Sequence, residues 1–274
     1  MALLRYGAAL AGICAGAAWL PAQRLKPESL QEYSCYVQSA EARMASRPTF
    51  LTIDSEPRRL AEVERGAVHT VPGNGPNPHK ISGAMLYDWI GTVFLPGVPL
   101  DRVVRMLQDY DHRNQYFPDV VASAKLLCRT GTERFGFTMR IKEPTVADSE
   151  NDVVWERVDE HRWRCRSYSG EVREIGKQHG YLYRLNSYWR FLDNGRGVVV
   201  EGETITLSGE FGSVMRTLGS LAGVNPEKSL RRTLTSMREA AMKPREFPAP
   251  LEALPACGEP VRFTGCPLPQ TSRR

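Results

Sequence analysis

The middle of the chain alternates between apolar and polar side chains, with turn residues at short intervals. This pattern predicts a succession of β-strands, each of which buries one face. A long strand should occupy ISGAMLYDWIGTVFLPG, residues 81–97. The later strands are predicted at VVASAKLLCRT, RFGFTMRIKE, NDVVWERV, HRWRCRSYSGEV, YLYRLNSYWRFL and GVVVEGETITLS. The last two flank DNGRG, which is a typical hairpin sequence and indicates that they pair with each other.

Apolar residues at spacings of three and four predict helices at both ends of this strand region. The first helix should run from Pro27 to about Arg47, and a second should cover residues 98–117. A short helix is predicted at 212–224, followed by a long one that has Asn225 as N-cap and an apolar stripe facing a core. Residues 48–80 are predicted to hold one or two strands, TFLTI and RLAEVERGAVHTV, and then a turn-rich loop.

The order of these elements predicts an α+β fold: one strand, a helix, several antiparallel strands and a C-terminal helix. The sheet must cover its apolar face, and the final helix is the element best suited to do so. The remaining C-terminal stretch, 244–274, is rich in proline and is predicted to be irregular.

The first 22 residues have the pattern of an export signal. Arg5 precedes a short apolar segment, and a cleavage site with small residues follows at Ala22. The apolar segment is too short for a comfortable membrane span, so the chain is predicted to be periplasmic or secreted, with no membrane span after signal removal. Cys14 leaves a lipid anchor as the alternative, although Ile13 occupies a position where that signal prefers a small residue.

Removal of the signal leaves five cysteines, an odd number, in a compartment that permits disulfides. Cys257 and Cys266 are close in the proline-rich tail, and a short-loop disulfide between them is the first expectation. No cysteine or histidine spacing typical of zinc sites is present, and neither a metal nor a cofactor is predicted. The formal charge of +5 is spread along the chain, which argues against a nucleic-acid partner.

The order of elements over residues 81–242 resembles the helix-grip fold of the START-like (SRPBCC) superfamily. The segments YDWIGTVFLPG, LQDYDHRNQYFPDV, GYLYRLNSYWRF and VVVEGETITLS resemble an uncharacterised, exported bacterial branch of it. The resemblance implies a curved antiparallel sheet wrapped around a long C-terminal helix, with a cavity for an apolar small molecule. It implies a helix-grip domain at 81–243, preceded by an extension at 23–80 and followed by the tail at 244–274.

The strand at YLYRLNSYWRFL separates into two faces, one aromatic and aliphatic, the other rich in arginine. An aromatic face that continues across several strands would either line a ligand cavity or pack as core beneath the final helix. In the cavity alternative, a hydrophobic or amphipathic small molecule of the lipid or isoprenoid class is the predicted ligand. The predicted ligand-binding residues are Phe137, Met139, Arg140, Tyr183, Arg184, Trp189, Arg190, Glu201 and Leu234.

The charged residues of these strands allow two interpretations. In the favoured interpretation, arginines and glutamates of neighbouring strands form a solvated ladder of ion pairs. The arginines are Arg140, Arg173, Arg184 and Arg190, and the glutamates are Glu171, Glu174, Glu201 and Glu203. If some of the arginines point inward, they would bind the carboxylate or phosphate of a ligand.

Two other functions are weighed against ligand binding. A polyketide cyclase or aromatase-like enzyme would use Asp109, His112, Tyr181 or Glu201 as acid-base groups, and at least two of these would have to meet in one pocket. His179 is as consistent with a turn as with a site. An envelope protein-interaction module would instead have a filled cavity and a large exposed apolar patch. The sequence does not indicate the oligomeric state.

Overall fold

A computed structural model describes residues 25–142, 145–176, 180–210, 225–244, 254–263 and Cys266. The predicted signal peptide, the predicted short helix at 212–224 and His179 lie outside these residues. The described residues form a large antiparallel sheet with helices on both faces. The α+β prediction, with a sheet that holds a long C-terminal helix, is confirmed.

The sheet has ten strands in the described part of the chain. They are β1 (His69–Pro72), β2 (His79–Ile81), β3 (Ala84–Pro96), β4 (Val121–Thr130), β5 (Arg134–Ile141), β6 (Ala147–Arg157), β7 (Arg162–Ser169), β8 (Arg173–Glu174), β9 (Arg184–Asp193) and β10 (Gly197–Gly209). Their spatial order is β1-β3-β10-β9-β7-β6-β5-β4; β2 also pairs with β3, and β8 pairs with β6. The predicted hairpin joins β9 to β10, with Gly195 in the left-handed region at φ 76°.

The helices are α1 (Pro27–Ser46), α2 (Pro57–Glu64), α3 (Leu100–Gln108), α4 (Arg113–Tyr116) and α5 (Pro226–Met242). Two short 3-10 turns lie at Thr52–Ser55 and Tyr110–His112. The prediction for α1 is confirmed, as is the Asn225 N-cap of α5, whose side chain accepts a hydrogen bond from Lys228 N at 3.1 Å.

Two predictions about secondary structure are wrong. TFLTI contributes to a 3-10 turn rather than a strand, and RLAEVERGAVHTV begins within α2, so that only its last three residues lie in a strand, β1. Pro57 occupies the first turn of α2, where its missing N–H costs nothing, and Val63 is buried. The helix predicted at 98–117 is interrupted at Asp109, so that it becomes α3, a 3-10 turn and α4.

We call the face of the sheet toward α5 the inner face and the face toward α1 the outer face. On β9 the inner face carries Leu185, Ser187, Trp189 and Phe191, whereas the outer face carries the alternate residues. The α5 helix crosses β3 at Gly91, where a Cβ atom would lie 2.5 Å from Leu234 Cδ1. A larger residue here would displace the side chains of Leu230 and Leu234, so glycine allows the helix to approach the sheet closely.

The outer face is covered by α1, which buries Tyr33, Val37, Ala40 and Met44 against β3, β9 and β10. The predicted boundary at residues 80 and 81 is crossed by the pairing of β1 and β2 with β3. The sheet is thus covered from both sides, and the N-terminal segment contributes one of the two covers.

The predicted Cys257–Cys266 disulfide is wrong. Cys257 pairs with Cys128 on β4, and Cys266 pairs with Cys35 on α1. The tail is not loose at Cys257, because its backbone N–H donates to Thr130 Oγ1 at 3.0 Å and Pro255 O accepts from Arg129 N at 2.9 Å. These contacts hold the tail against β4 and bring its cysteines to distant partners. Cys165 is the free thiol among the described cysteines.

Candidate functional site

A cavity of about 370 Å³ lies between the inner face and α5. Its walls come from β5, β6, β7, β9 and β10, and α4 with the end of α3 closes one side. The apolar side chains of the wall are Leu107, Phe117, Val120, Val121, Phe137, Met139, Ile141, Val153, Trp155, Leu182, Leu185, Trp189, Phe191, Leu230 and Met237. The space in front of the predicted aromatic face is therefore not filled by side chains.

Aromatic pairs fix much of this wall. The rings of Tyr110 and Phe137 stack with their centroids 4.4 Å apart, and Trp155 stacks on Phe191 at 5.5 Å. Trp155 Nε1 donates to the Tyr110 hydroxyl oxygen at 2.9 Å, so the buried indole N–H is satisfied without a ligand. Burial raises the pKa of Tyr110, which keeps its hydroxyl protonated.

Trp189 is positioned by its neighbours on the inner face. Its six-membered ring lies over Gly202 of β10, where a Cβ atom would collide with the ring. Its Nε1 donates to Ser187 Oγ at 3.1 Å. Because the N–H has a partner inside the protein, the indole presents an apolar surface to the cavity.

The cavity also has polar groups. Hydroxyl-bearing residues of the sheet at its wall are Ser167, Ser187, Thr204, Thr206 and Ser208. Thr206 is 7% exposed, and its Oγ1 has no hydrogen-bond partner among the described residues. From the helices come Arg113, Lys228 and Arg232. The cavity can therefore hold an apolar molecule that carries a polar group.

Arg113 is a wall residue that the sequence did not predict. It begins α4, and its guanidinium carbon lies 4.9 Å from the centroid of the Tyr110 ring and 5.1 Å from that of Phe137. The sequence feature that could have indicated this position is the spacing of Tyr110 and Phe117, which lie three residues before and four residues after Arg113. This spacing places the three side chains together only if the stretch is helical and packs over an aromatic strand.

Three of the predicted ligand-binding residues lie at the cavity: Phe137, Met139 and Trp189. Leu234 is fully buried in the packing of α5 on β3. Tyr183 precedes β9 and packs with the cluster beneath α1. Neither Leu234 nor Tyr183 is part of the wall as the described residues define it.

The predicted arginines lie elsewhere. Arg140 is exposed on β5 and binds Asp148 through two hydrogen bonds of 2.7 and 2.8 Å. Arg184 donates from Nη1 to Tyr183 O at 2.8 Å. Arg190 and Glu201 face each other on the outer face, 3.8 Å apart between Nη1 and Oε1. None of these three arginines, nor Glu201, adjoins the cavity in the described structure, because the strand period directs them to the opposite side.

The favoured interpretation of a solvated charge ladder is wrong for Glu201 and Glu203, and the exposed Arg140 pairs with Asp148 rather than with one of the predicted glutamates. Both glutamates are buried beneath α1, at 2% and 1% exposure. Arg47 Nη1 lies 2.7 Å from Glu201 Oε1, and Arg43 binds Glu203 and also Asp88. Because α1 covers this part of the sheet, these pairs form a buried network rather than a surface ladder.

Asp88 and Glu203 are neighbours in this network. Asp88 Oδ1 and Glu203 Oε2 have no donor among the described residues, and the two carboxyl groups are placed to hydrogen-bond if one carries a proton. Burial, together with the nearby Asp88 charge, raises the pKa of Glu203 to about 7, and burial also raises the pKa of Asp88. The folded protein should therefore hold a proton here that the unfolded chain releases.

We expect the protein to be more stable at pH 5.5 than at pH 8. The pKa of the Glu203 carboxyl group is higher in the folded protein than in the unfolded chain. Its contribution to stability is therefore fully present below the unfolded pKa, and it is lost as pH rises through the folded pKa of about 7. The difference in the free energy of unfolding should be about 2 kcal/mol, measured by urea denaturation at the two pH values. Glu203→Gln should remove most of it. Equal stability of the wild-type protein at both pH values would contradict this assignment.

The candidate acid-base residues do not meet in one pocket. Asp109 Oδ1 lies 2.8 Å from His112 Nδ1, and Asp109 also accepts a hydrogen bond from Tyr116, so this group joins α3 to α4. Tyr181 is the one of the four that lines the cavity, and Glu201 lies on the outer face. The condition for the enzyme alternative, two such groups in one pocket, is not met by the described residues.

Cys165 lies at the cavity wall on β7 and is buried. Burial raises the pKa of its thiol well above the ordinary value, so the thiolate is disfavoured. No cluster of three or more histidine, cysteine, aspartate or glutamate side chains suited to a metal occurs in the described chain. None of the described helices combines the length and the apolar character needed to cross a membrane.

The fold and the cavity define a class of protein: a helix-grip α+β protein with an internal, largely apolar cavity. No family model and no curated protein matches the chain. Solved structures do match, and they include proteins of the START-like superfamily that the sequence resembles.

A STAR-related lipid transfer protein from Xanthomonas axonopodis (fragment 25–204) is 18% identical, with 62% of this chain and 100% of that chain covered and a TM-score of 0.46. Human STARD10 is 12% identical, with 73% and 84% covered and a TM-score of 0.42. The Zhui aromatase/cyclase from Streptomyces sp. R1128 is 11% identical, with 57% and 93% covered and a TM-score of 0.43. These are likenesses of fold, and the function proposed below is argued from the cavity.

Proposed function

We propose that this protein is exported and binds a hydrophobic or amphipathic small molecule between its sheet and α5. The observation that carries the proposal is the open cavity of about 370 Å³ behind Phe137, Trp155 and Trp189. Ligand pockets typically measure roughly 300–1,000 Å³ and are lined mainly by apolar and aromatic side chains with a few polar groups. The volume and the composition of this wall both agree with that description.

The way the wall is built supports binding rather than a packing defect. Protein interiors are close-packed, and voids larger than a water molecule are few. Here the indole N–H groups of Trp155 and Trp189 are satisfied within the protein, and stacked rings hold the aromatic side chains in place. Such a preformed wall loses little conformational entropy when an apolar ligand enters.

Export is proposed from the signal-like N-terminus and is supported by the two disulfides. Structural disulfides persist in oxidising compartments and are rare in the cytosol. The interaction-module alternative required a filled cavity, and the open cavity gives it no support.

We expect Ser167→Phe to weaken the binding of apolar ligands by about tenfold or more, because the added ring would occupy the cavity that Ser167 lines. The measurement is titration of the purified protein with a panel of fatty acids and isoprenoids, followed through the emission of Trp155 and Trp189. Native mass spectrometry with solvent extraction would identify any molecule that co-purifies.

Ser123→Phe is the matched control, since Ser123 is exposed on β4 and the residue change is the same. It should bind as the wild-type protein does. If the wild-type protein binds no member of the panel and carries no co-purified molecule, the proposed function is wrong. An equal loss in both variants would mean that the cavity is not the binding site.

A further inference from the structure

Arg113 places a positive charge on an otherwise aromatic part of the cavity wall. Its guanidinium lies over three rings, with the carbon 4.9 Å from the centroid of Tyr110, 5.1 Å from Phe137 and 5.7 Å from Phe117. These contacts hold the guanidinium among the aromatic side chains, and Arg113 is one of the residues that line the cavity.

No carboxylate of the described chain lies within salt-bridge distance of this guanidinium. Arg113 Nη2 has one long hydrogen bond, 3.5 Å to Leu107 O, and its polar neighbour is the Tyr110 hydroxyl. Arg113 Nε is shielded from solvent and has no partner among the described residues. By contrast, Arg43, Arg47, Arg134 and Arg140 each meet a carboxylate.

A charge beside apolar side chains is costly unless an opposite charge and hydrogen bonds compensate it. Cation–π contacts contribute only about 0.5–2 kcal/mol, and they leave the N–H donors unused. A carboxylate or phosphate suits these donors, because it accepts paired hydrogen bonds from the fork of a guanidinium. An anion in the cavity would therefore complete the site.

We propose that the ligand is an amphiphile with an anionic carboxylate or phosphate that binds Arg113, while its hydrocarbon part lies against the aromatic wall. This inference rests on the proposed function and specifies the ligand's polar group. Lys228 and Arg232 also border the cavity, but they project from the first turns of α5, and Lys228 is exposed. Arg113 is the cation that lies on the stacked rings.

The test compares three ligands of one chain length: decanoate, monodecyl phosphate and decanol. Dissociation constants would be measured at pH 8, where both acids are ionised, for the wild-type protein, Arg113→Gln, Arg113→Lys and the control Arg129→Gln. Arg129 also lies on an aromatic ring, 5.6 Å from the centroid of Phe135, but it is not among the residues that line the cavity. We expect the wild-type protein to bind at least one anion about tenfold more tightly than decanol, a ratio that corresponds to one charge-assisted contact. Tighter binding of decanoate would indicate a carboxylate site, and tighter binding of monodecyl phosphate would indicate a phosphate site.

Arg113→Gln should lose this preference and still bind decanol with wild-type affinity, and Arg113→Lys should retain part of the preference. Arg129→Gln should keep the preference in full. Equal binding of decanol and the anions by the wild-type protein would overturn the inference and leave the proposed function standing. An Arg113→Gln variant that keeps the preference, or an Arg129→Gln variant that loses it to the same extent as Arg113→Gln, would also overturn the inference. Failure of all three ligands to bind would count against both proposals.

Discussion

Replacing Arg47 with alanine should lower the free energy of unfolding by about 3–5 kcal/mol, since removal of one partner leaves a buried charge uncompensated. Arg47 follows α1 directly, and its side chain is 13% exposed. Its Nη1 lies 2.7 Å from Glu201 Oε1, and its Nη2 lies 3.7 Å from Glu203 Oε2. The remaining partners of Glu201 are the Thr52 backbone N–H, the Thr52 hydroxyl and the more distant Arg190.

Chemical denaturation of the wild-type protein and Arg47→Ala at one pH would measure this difference. Arg140→Ala is the matched control, because Arg140 has a bidentate carboxylate partner but is exposed to solvent. Its effect should be far smaller, since surface ion pairs contribute little. Comparable losses in the two variants would show that burial beneath α1 does not determine the strength of these pairs.

The Cys128–Cys257 disulfide should also contribute strongly to stability. It joins positions 129 residues apart, and cross-links that close long loops restrict the unfolded chain most. We expect the double variant Cys128→Ser/Cys257→Ser to lose about 2–5 kcal/mol in the free energy of unfolding, measured by denaturation under non-reducing conditions. Cys165→Ala, which leaves both disulfides intact, is the control.

Peptide mapping by mass spectrometry without reduction would test the pairing itself. The expected cross-linked peptides contain Cys35 with Cys266 and Cys128 with Cys257. A peptide that joins Cys257 to Cys266 would contradict this pairing. An unchanged stability of the double variant would instead show that the tail is held by its other contacts.

Local rules were sufficient to predict much of the fold. The period of two separated the faces of β9, and the N-cap and apolar spacing placed α5, because these signals are expressed within a few residues. They failed at α2, where a short apolar stretch fits a strand or a helix equally well. They failed again at Asp109, whose bonds to His112 and Tyr116 end the regular helix.

The candidate site was predicted only in part, for a physical reason. Phe137, Met139 and Trp189 follow from strand alternation, which fixes the face that each side chain occupies. The direction of Arg113 depends on how α4 packs over β5, and the burial of Glu201 depends on where α1 docks. Such long-range packing has no signature in the neighbouring sequence. The cysteine partners were missed for the same reason.

The two disulfides create a short covalent path across the molecule. Cys257 and Cys266 are nine residues apart, yet one is bonded to β4 and the other to α1. An extended chain spans at most about 3.3–3.6 Å per residue. The two disulfides add Cα–Cα distances of 5.0 and 5.1 Å, so Cys35 cannot move more than roughly 40 Å from Cys128 on β4 while both bonds are intact. The outer helix would therefore remain tethered to the far edge of the sheet even if it detached. A detached α1 would therefore stay close to its binding surface on the sheet, and it would have to sample only a small volume before it docks again.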